Sequence, residues 1–77
     1  MYISETIHHT LLRNRYTLEV NIPGLMNYKK YQKGDFFVTT RSKGRKLHVK
    51  FNRPSKEFNM DINSIDQFNT EFREFFK

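Results

Sequence analysis

Residues 35–52 read DFFVTTRSKGRKLHVKFN, two alternating segments joined by a basic tip that contains Gly44. Because side chains alternate across a strand, this pattern predicts a β-hairpin with one apolar and one basic face. We predict a four-residue loop over residues 42–45, which places Arg41 opposite Lys46. The predicted apolar face holds Phe36, Val38, Thr40, Leu47, Val49 and Phe51. The predicted basic face holds Phe37, Thr39, Arg41, Lys46, His48 and Lys50.

Two segments before the hairpin differ in how clearly they can be read. In residues 2–12 the large apolar side chains Ile3, Ile7 and Leu11 are four apart, which fits both a strand and a helix. The β-branched Ile and Thr residues favour a strand, and we predict one. Residues 15–22 alternate and predict a second strand. Its predicted inner face holds Tyr16, Leu18, Val20 and Ile22.

The connection into the hairpin is predicted from its turn residues. Pro23-Gly24 predicts a type II turn, because proline presets φ and glycine accepts a positive φ. Residues 25–33, LMNYKKYQK, predict a short helical turn or an ordered loop.

The C-terminal third predicts one more strand and a helix. Pro54 ends the hairpin, and residues 57–62 alternate with Phe58, Met60 and Ile62 facing inward. Ser64 and Gln67 then have the spacing of a capping box, which predicts a helix over residues 65–76. Its apolar side chains recur on one helical face: Ile65, Phe68, Phe72, Phe75 and Phe76.

These elements predict a single α+β domain over residues 1–77. We expect a small antiparallel sheet of four to five strands, open or curled toward a barrel, covered on one face by the C-terminal amphipathic helix. A chain of this length forms a small hydrophobic core, and a homodimer would bury additional apolar surface.

Charge is concentrated in the middle of the chain. Residues 29–56 carry ten Lys or Arg against Asp35 alone, a net charge of +9 within a total of +6. Residues 1–28 are neutral overall, and residues 57–77 carry a net charge of −3. A basic centre beside an acidic tail predicts a directed surface for a negatively charged partner.

Several classes of function lack sequence support. The chain has no cysteine, which excludes disulfides and thiolate metal sites. On the predicted strand His8 and His9 point to opposite faces, and no acidic residues have metal-ligand spacing, so we expect no metal, no cofactor and no catalysis. No run of 18 apolar residues and no secretory signal pattern occurs, so we expect no membrane partner and a cytoplasmic location.

The remaining pattern predicts a non-catalytic nucleic-acid-binding protein, for example one that binds DNA in transcription regulation. The basic hairpin face could bind a single strand by base stacking, or the tip could enter a groove of a duplex, and the sequence does not decide between them. The alternative is a small inhibitor or adaptor that binds an acidic surface of a partner protein. The predicted contact residues are Phe37, Arg41, Lys43, Arg45, Lys46, His48 and Lys50, with a second ring of phosphate contacts at Lys29, Lys30 and Lys33.

Overall fold

The computed structural model describes residues 3–75, which form five strands flanked by two helices. The elements in chain order are α1 (Ile3–Arg13), β1 (Thr17–Ile22), β2 (Tyr28–Lys33), β3 (Phe36–Lys43), β4 (Lys46–Arg53), β5 (Lys56–Ile62) and α2 (Ile65–Phe75). The strands form one antiparallel sheet in the order β1-β2-β3-β4-β5. The predicted α+β class and the predicted sheet are confirmed. The sheet is open, with β1 and β5 as its edges, and does not close into a barrel.

Both helices contribute to a core on one face of the sheet, which we call the inner face. Ile7 and Leu11 of α1 and Phe68 of α2 are fully buried. The sheet side chains buried with them are Tyr31, Val38, Leu47, Val49, Phe51 and Ile62. Neighbouring side chains on a strand point to opposite sides, so the alternate residues of β2 to β5 form a second surface, the outer face.

The N-terminal segment is a helix, and the predicted strand is wrong. A strand would place Glu5 and His9 on the same face as Ile3, Ile7 and Leu11, whereas both are exposed on α1. Tyr2 and Phe76, which the predictions included in this segment and in the C-terminal helix, lie outside the described residues.

The end of α1 has the hydrogen bonds of a Schellman motif. The Arg15 N–H donates to the Leu12 carbonyl at 3.1 Å, and the Tyr16 N–H donates to the Leu11 carbonyl at 3.0 Å. Arg15 has a φ of 70°, the left-handed conformation that this motif requires. The buried pair Leu11 and Tyr16 supplies the accompanying apolar contact. The turn at Asn14-Arg15 therefore leads from a helix into β1.

A β-bulge divides β1 between the two faces of the sheet. Leu18 lies opposite Tyr31, but Val20 lies opposite Lys30, so Glu19 is the extra residue. Val20 and Ile22 consequently share the side of Lys30 and Tyr28 on the outer face. The prediction that both face inward with Tyr16 and Leu18 is wrong, and Ile22 is 44% exposed.

The segment after β1 forms a loop and then a strand. Gly24 has no positive φ, so the predicted type II turn is wrong; Met26 and Asn27 take the positive φ values instead, each at 53°. Residues 28–33 are β2, which corrects the predicted helical turn or loop. The only side chain of β2 that is fully buried is Tyr31, which explains why the segment lacks a clear strand pattern.

The β3-β4 hairpin is confirmed, but its register differs by two residues from the predicted one. Lys43 pairs with Lys46 across a two-residue turn, Gly44-Arg45, in place of the four-residue loop. Gly44 has a φ of 62° at the first turn position, as a type II′ turn requires. A shift of two residues keeps every side chain on its predicted face. Phe36 is nonetheless 37% exposed and lies at the margin of the core.

The C-terminal strand and helix follow their predictions closely. Ile62 is buried and Met60 is half-buried, whereas Phe58 is 39% exposed and its ring lies 6.4 Å from that of Phe51. The Gln67 N–H donates to the Ser64 hydroxyl at 3.2 Å, which confirms the helix cap. The Gln67 side chain accepts from the N–H of Asn63, one residue earlier than in a standard capping box.

Candidate nucleic-acid interface

The outer face of β2 to β5 carries more positive than negative charge. Its basic residues are Lys30, Arg41, Lys43, Lys46 and Lys50. Its carboxylates are Glu57 and Asp61. With His48 neutral, these residues give the surface a net charge of +3. The neighbouring positions add amide, hydroxyl and aromatic groups, so the face is a mixed basic and aromatic surface.

A groove of about 290 Å³ lies in the middle of this face. Its lining comes from all four strands, and no acidic side chain of the described residues contributes to it. The lining residues are Tyr28, Lys30, Phe37, Thr39, Arg41, His48, Lys50 and Asn59. The structure therefore brings together four residues of the predicted hairpin site, Phe37, Arg41, His48 and Lys50, with Lys30 from the predicted second ring.

Phe37 is one of two aromatic side chains that line the groove, together with Tyr28. It is half-buried on β3, between Gln32 of β2 and Asn52 of β4. The Lys30 ammonium lies 4.7 Å from the centre of the Phe37 ring. This distance is within the range of a cation–π contact, so a positive charge and an aromatic surface are held side by side.

Asp61 neutralises part of the charge at one margin of the groove. Its carboxylate accepts a hydrogen bond from Lys43 at 3.3 Å and lies 2.9 Å from Nδ1 of His48. Hydrogen bonds from His48 and then from Lys43 lower the pKa of Asp61, so it is ionised at neutral pH. The charge on Lys43 is consequently offset by this carboxylate.

Lys50 has a similar partner. Its ammonium lies 2.7 Å from a carboxylate oxygen of Glu57. Both groups are partly exposed, so the pair is weak and a phosphate can compete with Glu57 for the ammonium. Lys30, Arg41 and Lys46 make no ion pair with any residue in the range 3–75. These three cations are the ones most available to a polyanion.

The hairpin tip carries the remaining predicted contacts. Lys43 and Lys46 face each other directly, and Arg45 occupies the turn; all three are exposed. The tip is short, because β5 already pairs with Leu47 and the Ser42 N–H donates to the Met26 carbonyl at 2.7 Å. Only one residue pair and its turn extend beyond the neighbouring strands.

Two residues of the predicted second ring lie on the opposite side of the sheet from Lys30. Lys29 and Lys33 alternate with Lys30 along β2, so they share the inner side with Tyr31. The Lys33 ammonium lies 5.7 Å from the centre of the Tyr16 ring. Burial, and then the nearby charge of Lys29, lowers the pKa of His8 on α1. The ring of three lysines is thus divided between two faces.

The other inner-side cations interact with helix α2. The Arg53 guanidinium lies 5.3 Å and the Lys56 ammonium 5.6 Å from the centre of the Phe75 ring. Of the ten basic residues in the range 29–56, five therefore lie on the outer face, Arg45 lies in the turn and four lie on the helix side. The net charge of +9 overstates the charge of any single surface.

Sequence reasoning missed Tyr28 and Asn59 as groove residues. Tyr28 was missed because residues 25–33 were not predicted as a strand. The signal was present: once Tyr31 is taken as an inward residue, alternation places Tyr28 and Lys30 together on the other face. Asn59 was predicted to face outward but was not connected with the hairpin, since the pairing of β5 with β4 could not be read from the sequence.

The described residues give no sign of a metal centre or a membrane span. Within residues 3–75 no group of three or more His, Asp or Glu side chains could hold a metal ion. Neither helix in that range is long and apolar enough to cross a membrane. Comparison with protein-family models, with curated proteins and with solved structures found no match for the chain. Its function must therefore be argued from the geometry of the outer face.

Proposed function

We propose that this protein is a non-catalytic nucleic-acid-binding protein that uses the outer face of its sheet. The observation that carries the proposal is the groove, which is lined by two aromatic side chains, Tyr28 and Phe37, by three cations and by no carboxylate of the described residues. Phosphates need cations such as Lys30 and Arg41, and bases need an apolar planar surface such as Phe37. The contact set is the predicted one without Lys29 and Lys33.

The position of the helices supports the same surface. Both helices contribute to the core on the inner face, which leaves the outer face of β2 to β5 accessible. Arg45 and Lys46 at the tip extend the positive surface beyond the groove, and Lys43 beside them is paired with Asp61. We propose that the surface binds without catalysis, with His48 held by its contact with Asp61. DNA binding in transcription regulation is one process that such a surface would serve.

A charge-matched pair of variants tests the proposal. The triple variant Lys30→Gln, Arg41→Gln and Lys46→Gln removes three cations from the outer face. The control variant Lys29→Gln, Lys33→Gln and Lys56→Gln removes the same charge from the helix side. Binding to a fluorescent oligonucleotide of about 12 nucleotides is measured as a function of salt, since single-strand sites span about 4–16 nucleotides.

We expect the outer-face variant to lose affinity and to flatten the plot of log affinity against log salt concentration. Three lost phosphate contacts reduce this slope by about 2 for a single strand, because each contact releases roughly 0.7 counterions. The control variant should keep a slope close to that of the parent. Equal losses in the two variants would show that net charge alone attracts the oligonucleotide, and an unchanged outer-face variant would place the site elsewhere.

One observation favours a second candidate, a small inhibitor or adaptor that binds an acidic protein. Ile22, Leu25 and Met26 are 44%, 53% and 56% exposed, next to the open edge strand β1. Exposed apolar side chains beside a basic face are common in protein interfaces. Purification from a native lysate with and without nuclease separates the candidates. A stoichiometric protein that survives nuclease and is lost in a Leu25→Ser, Met26→Ser variant would favour this second function.

A further inference from the structure

We infer that the ligand of the outer face is a single-stranded nucleic acid, and that one of its unpaired bases stacks on Phe37 inside the groove. This assignment rests on the proposed function and makes it more specific. It answers a question that the sequence left open, because a basic hairpin is compatible with both a single strand and a duplex.

The width of the outer face argues against insertion into a duplex groove. Neighbouring strands lie about 4.8 Å apart, so the axes of β2 and β5 are roughly 14 Å apart across the binding face. The major groove of DNA is about 12 Å wide and admits one helix or a two-stranded ribbon. A face of four strands is too wide to enter it. The groove of about 290 Å³ is, in turn, a local depression and far too small to hold a duplex.

The hairpin tip is also too short to act as a ribbon. Beyond the neighbouring strands only the Lys43–Lys46 pair and the Gly44-Arg45 turn are free. With the turn residues included, two residues on each side extend by at most about 7 Å, at roughly 3.4 Å per residue. The major groove is about 8.5 Å deep, so the tip would contact phosphates at its margin without placing strand side chains on base edges.

Phe37 offers what an unpaired base requires. Its ring lines the groove, and the Lys30 ammonium covers one face of the ring, 4.7 Å from its centre. A cation–π contact at an exposed site is weaker than stacking of a base on an aromatic ring. We therefore expect the base to displace the Lys30 ammonium, which then neutralises the adjoining phosphate. Bases in a duplex are already stacked on each other and cannot reach this ring.

The polar groups around the groove suit a base that is held without strict sequence preference. Thr39 and Asn59 line it with one hydroxyl and one amide group. These groups can donate to or accept from any base edge, so they orient a base without selecting it. Arg41 and Lys50 lie in the same lining and can bind the phosphates on either side. The arrangement predicts weak sequence specificity.

The absence of tryptophan from the chain allows a direct test of stacking. A Phe37→Trp variant carries the only indole of the protein, and a base stacked on that indole quenches its fluorescence. The matched control is Phe36→Trp, because Phe36 is the neighbouring residue but points to the opposite side of β3. The probes are oligothymidylate and oligouridylate of about 12 nucleotides and a DNA duplex of the same length.

We expect oligothymidylate to quench the Phe37→Trp variant and to leave the Phe36→Trp variant unchanged. A Phe37→Ala variant should bind oligothymidylate about 5- to 150-fold more weakly than the parent, the range given by the loss of one stacked base. Phe37→Tyr, which keeps the ring, should bind within about threefold of the parent if stacking sets the affinity. Comparison of oligothymidylate with oligouridylate assigns the natural ligand to DNA or RNA.

Each opposite outcome identifies which statement fails. If the duplex binds as tightly as the single strand and no probe quenches the Phe37→Trp variant, the single-strand inference is wrong and the proposed function stands. If Phe37→Ala binds like the parent while circular dichroism shows it folded, base stacking on Phe37 is wrong. If neither the single strand nor the duplex binds at low salt, both the inference and the proposed function are wrong.

Discussion

At the scale of single residues, two residues other than glycine have a backbone conformation that lowers the stability of the fold. Arg15 and Ser55 have φ values of 70° and 69°, in the left-handed region that glycine occupies at little cost. Arg15 is the residue after the end of α1 where glycine is usually found, and Ser55 follows Pro54 at the second central position of a turn. In both places the fold imposes a conformation that the local sequence does not favour.

An Arg15→Gly variant should be more stable than the parent. A residue other than glycine costs roughly 1–2 kcal/mol in this conformation, part of which is offset by the greater freedom of glycine in the unfolded chain. We expect the free energy of unfolding in urea to rise by about 1 kcal/mol. Arg15→Ala is the control, because it removes the same charge and keeps the backbone cost. A loss of stability in Arg15→Gly would contradict the Schellman motif at this position.

At the scale of elements, α2 holds the aromatic part of the core together. Phe68 is fully buried, with its ring centre 5.8 Å from that of Phe51 and 5.5 Å from that of Phe72. Phe72 is half-buried and lies 5.7 Å from the ring of Tyr16. The helix thus connects β4 with Tyr16, the residue before β1, and β1 and β4 are not neighbours in the sheet.

Truncation of Phe68 should be the more damaging change in this helix. Phe68→Ala removes a fully buried ring and should cost about 3–5 kcal/mol, a large fraction of the 5–15 kcal/mol typical of a whole domain. Phe72→Ala should cost less, because part of the Phe72 ring already contacts solvent. Thr70→Ala, on the exposed side of α2, should change stability by less than about 0.5 kcal/mol. Urea unfolding followed by circular dichroism measures all three, and an order other than Phe68, Phe72, Thr70 would refute this account of the core.

The elements that could be predicted from the sequence are those with one dominant period. The β3-β4 hairpin buries alternate positions, α2 buries helical positions and β5 buries Ile62 at its end, and the described side chains of all three lie on their predicted faces. The N-terminal helix was missed because spacing by four residues suits both periods, although Glu5 and His9 oppose a strand. Strand β2 was missed because Tyr31 is its one fully buried side chain, so its sequence does not alternate clearly. Its hydrogen-bonded pairing with β1 and β3 makes it a strand.

The candidate site could be predicted only in part, because the order of charged residues along the chain does not tell on which face of the sheet each side chain lies. Phe37, Arg41, His48 and Lys50 were grouped correctly by alternation within one hairpin. Lys29 and Lys33 were grouped with Lys30 by proximity in sequence, and β2 separates them. The bulge at Glu19 was also invisible, since an extra residue in a strand leaves no mark in the hydrophobic pattern.

At the scale of the whole molecule, the titrating groups limit the pH range of stability. Burial raises the pKa of Tyr16 and of Tyr31 to about 12, from an ordinary value of 10. Burial and the charge of Lys29 lower the pKa of His8, whose Nδ1 lies 2.7 Å from the Tyr31 hydroxyl. The pKa of Asp61 is also lowered, so both His8 and Asp61 reduce the free energy of unfolding as the pH falls.

The free energy of unfolding should therefore be highest between about pH 6.5 and pH 10. Between pH 10 and 12 the folded chain keeps phenol protons that the unfolded chain releases, so stability falls by up to about 2–3 kcal/mol per tyrosine. Below pH 6.5 the unfolded chain binds a proton that His8 resists, and below pH 3.8 one that Asp61 resists, so stability falls again. Urea unfolding across this range measures the profile.

Tyr31→Phe is the matched variant for the alkaline side. It should lose about 1 kcal/mol at neutral pH with its hydrogen bond to His8, and it should show roughly half of the alkaline decrease. Stability that rises above pH 10 in the parent would be inconsistent with two buried phenols.

The turn at Gly44 has a further consequence, for folding kinetics. A hairpin slipped by two residues would bury the same five side chains, Val38, Thr40, Leu47, Val49 and Phe51, because an even slip preserves both faces. A Cβ at Gly44 would meet open space, so only the positive φ ties this position to glycine. In an isolated β3-β4 hairpin, before β2 and β5 pair with it, both registers bury the same side chains and gain nearly the same hydrophobic stabilisation. The two-residue turn at Gly44 favours the native register. We therefore expect the slipped hairpin to compete with the native one during folding.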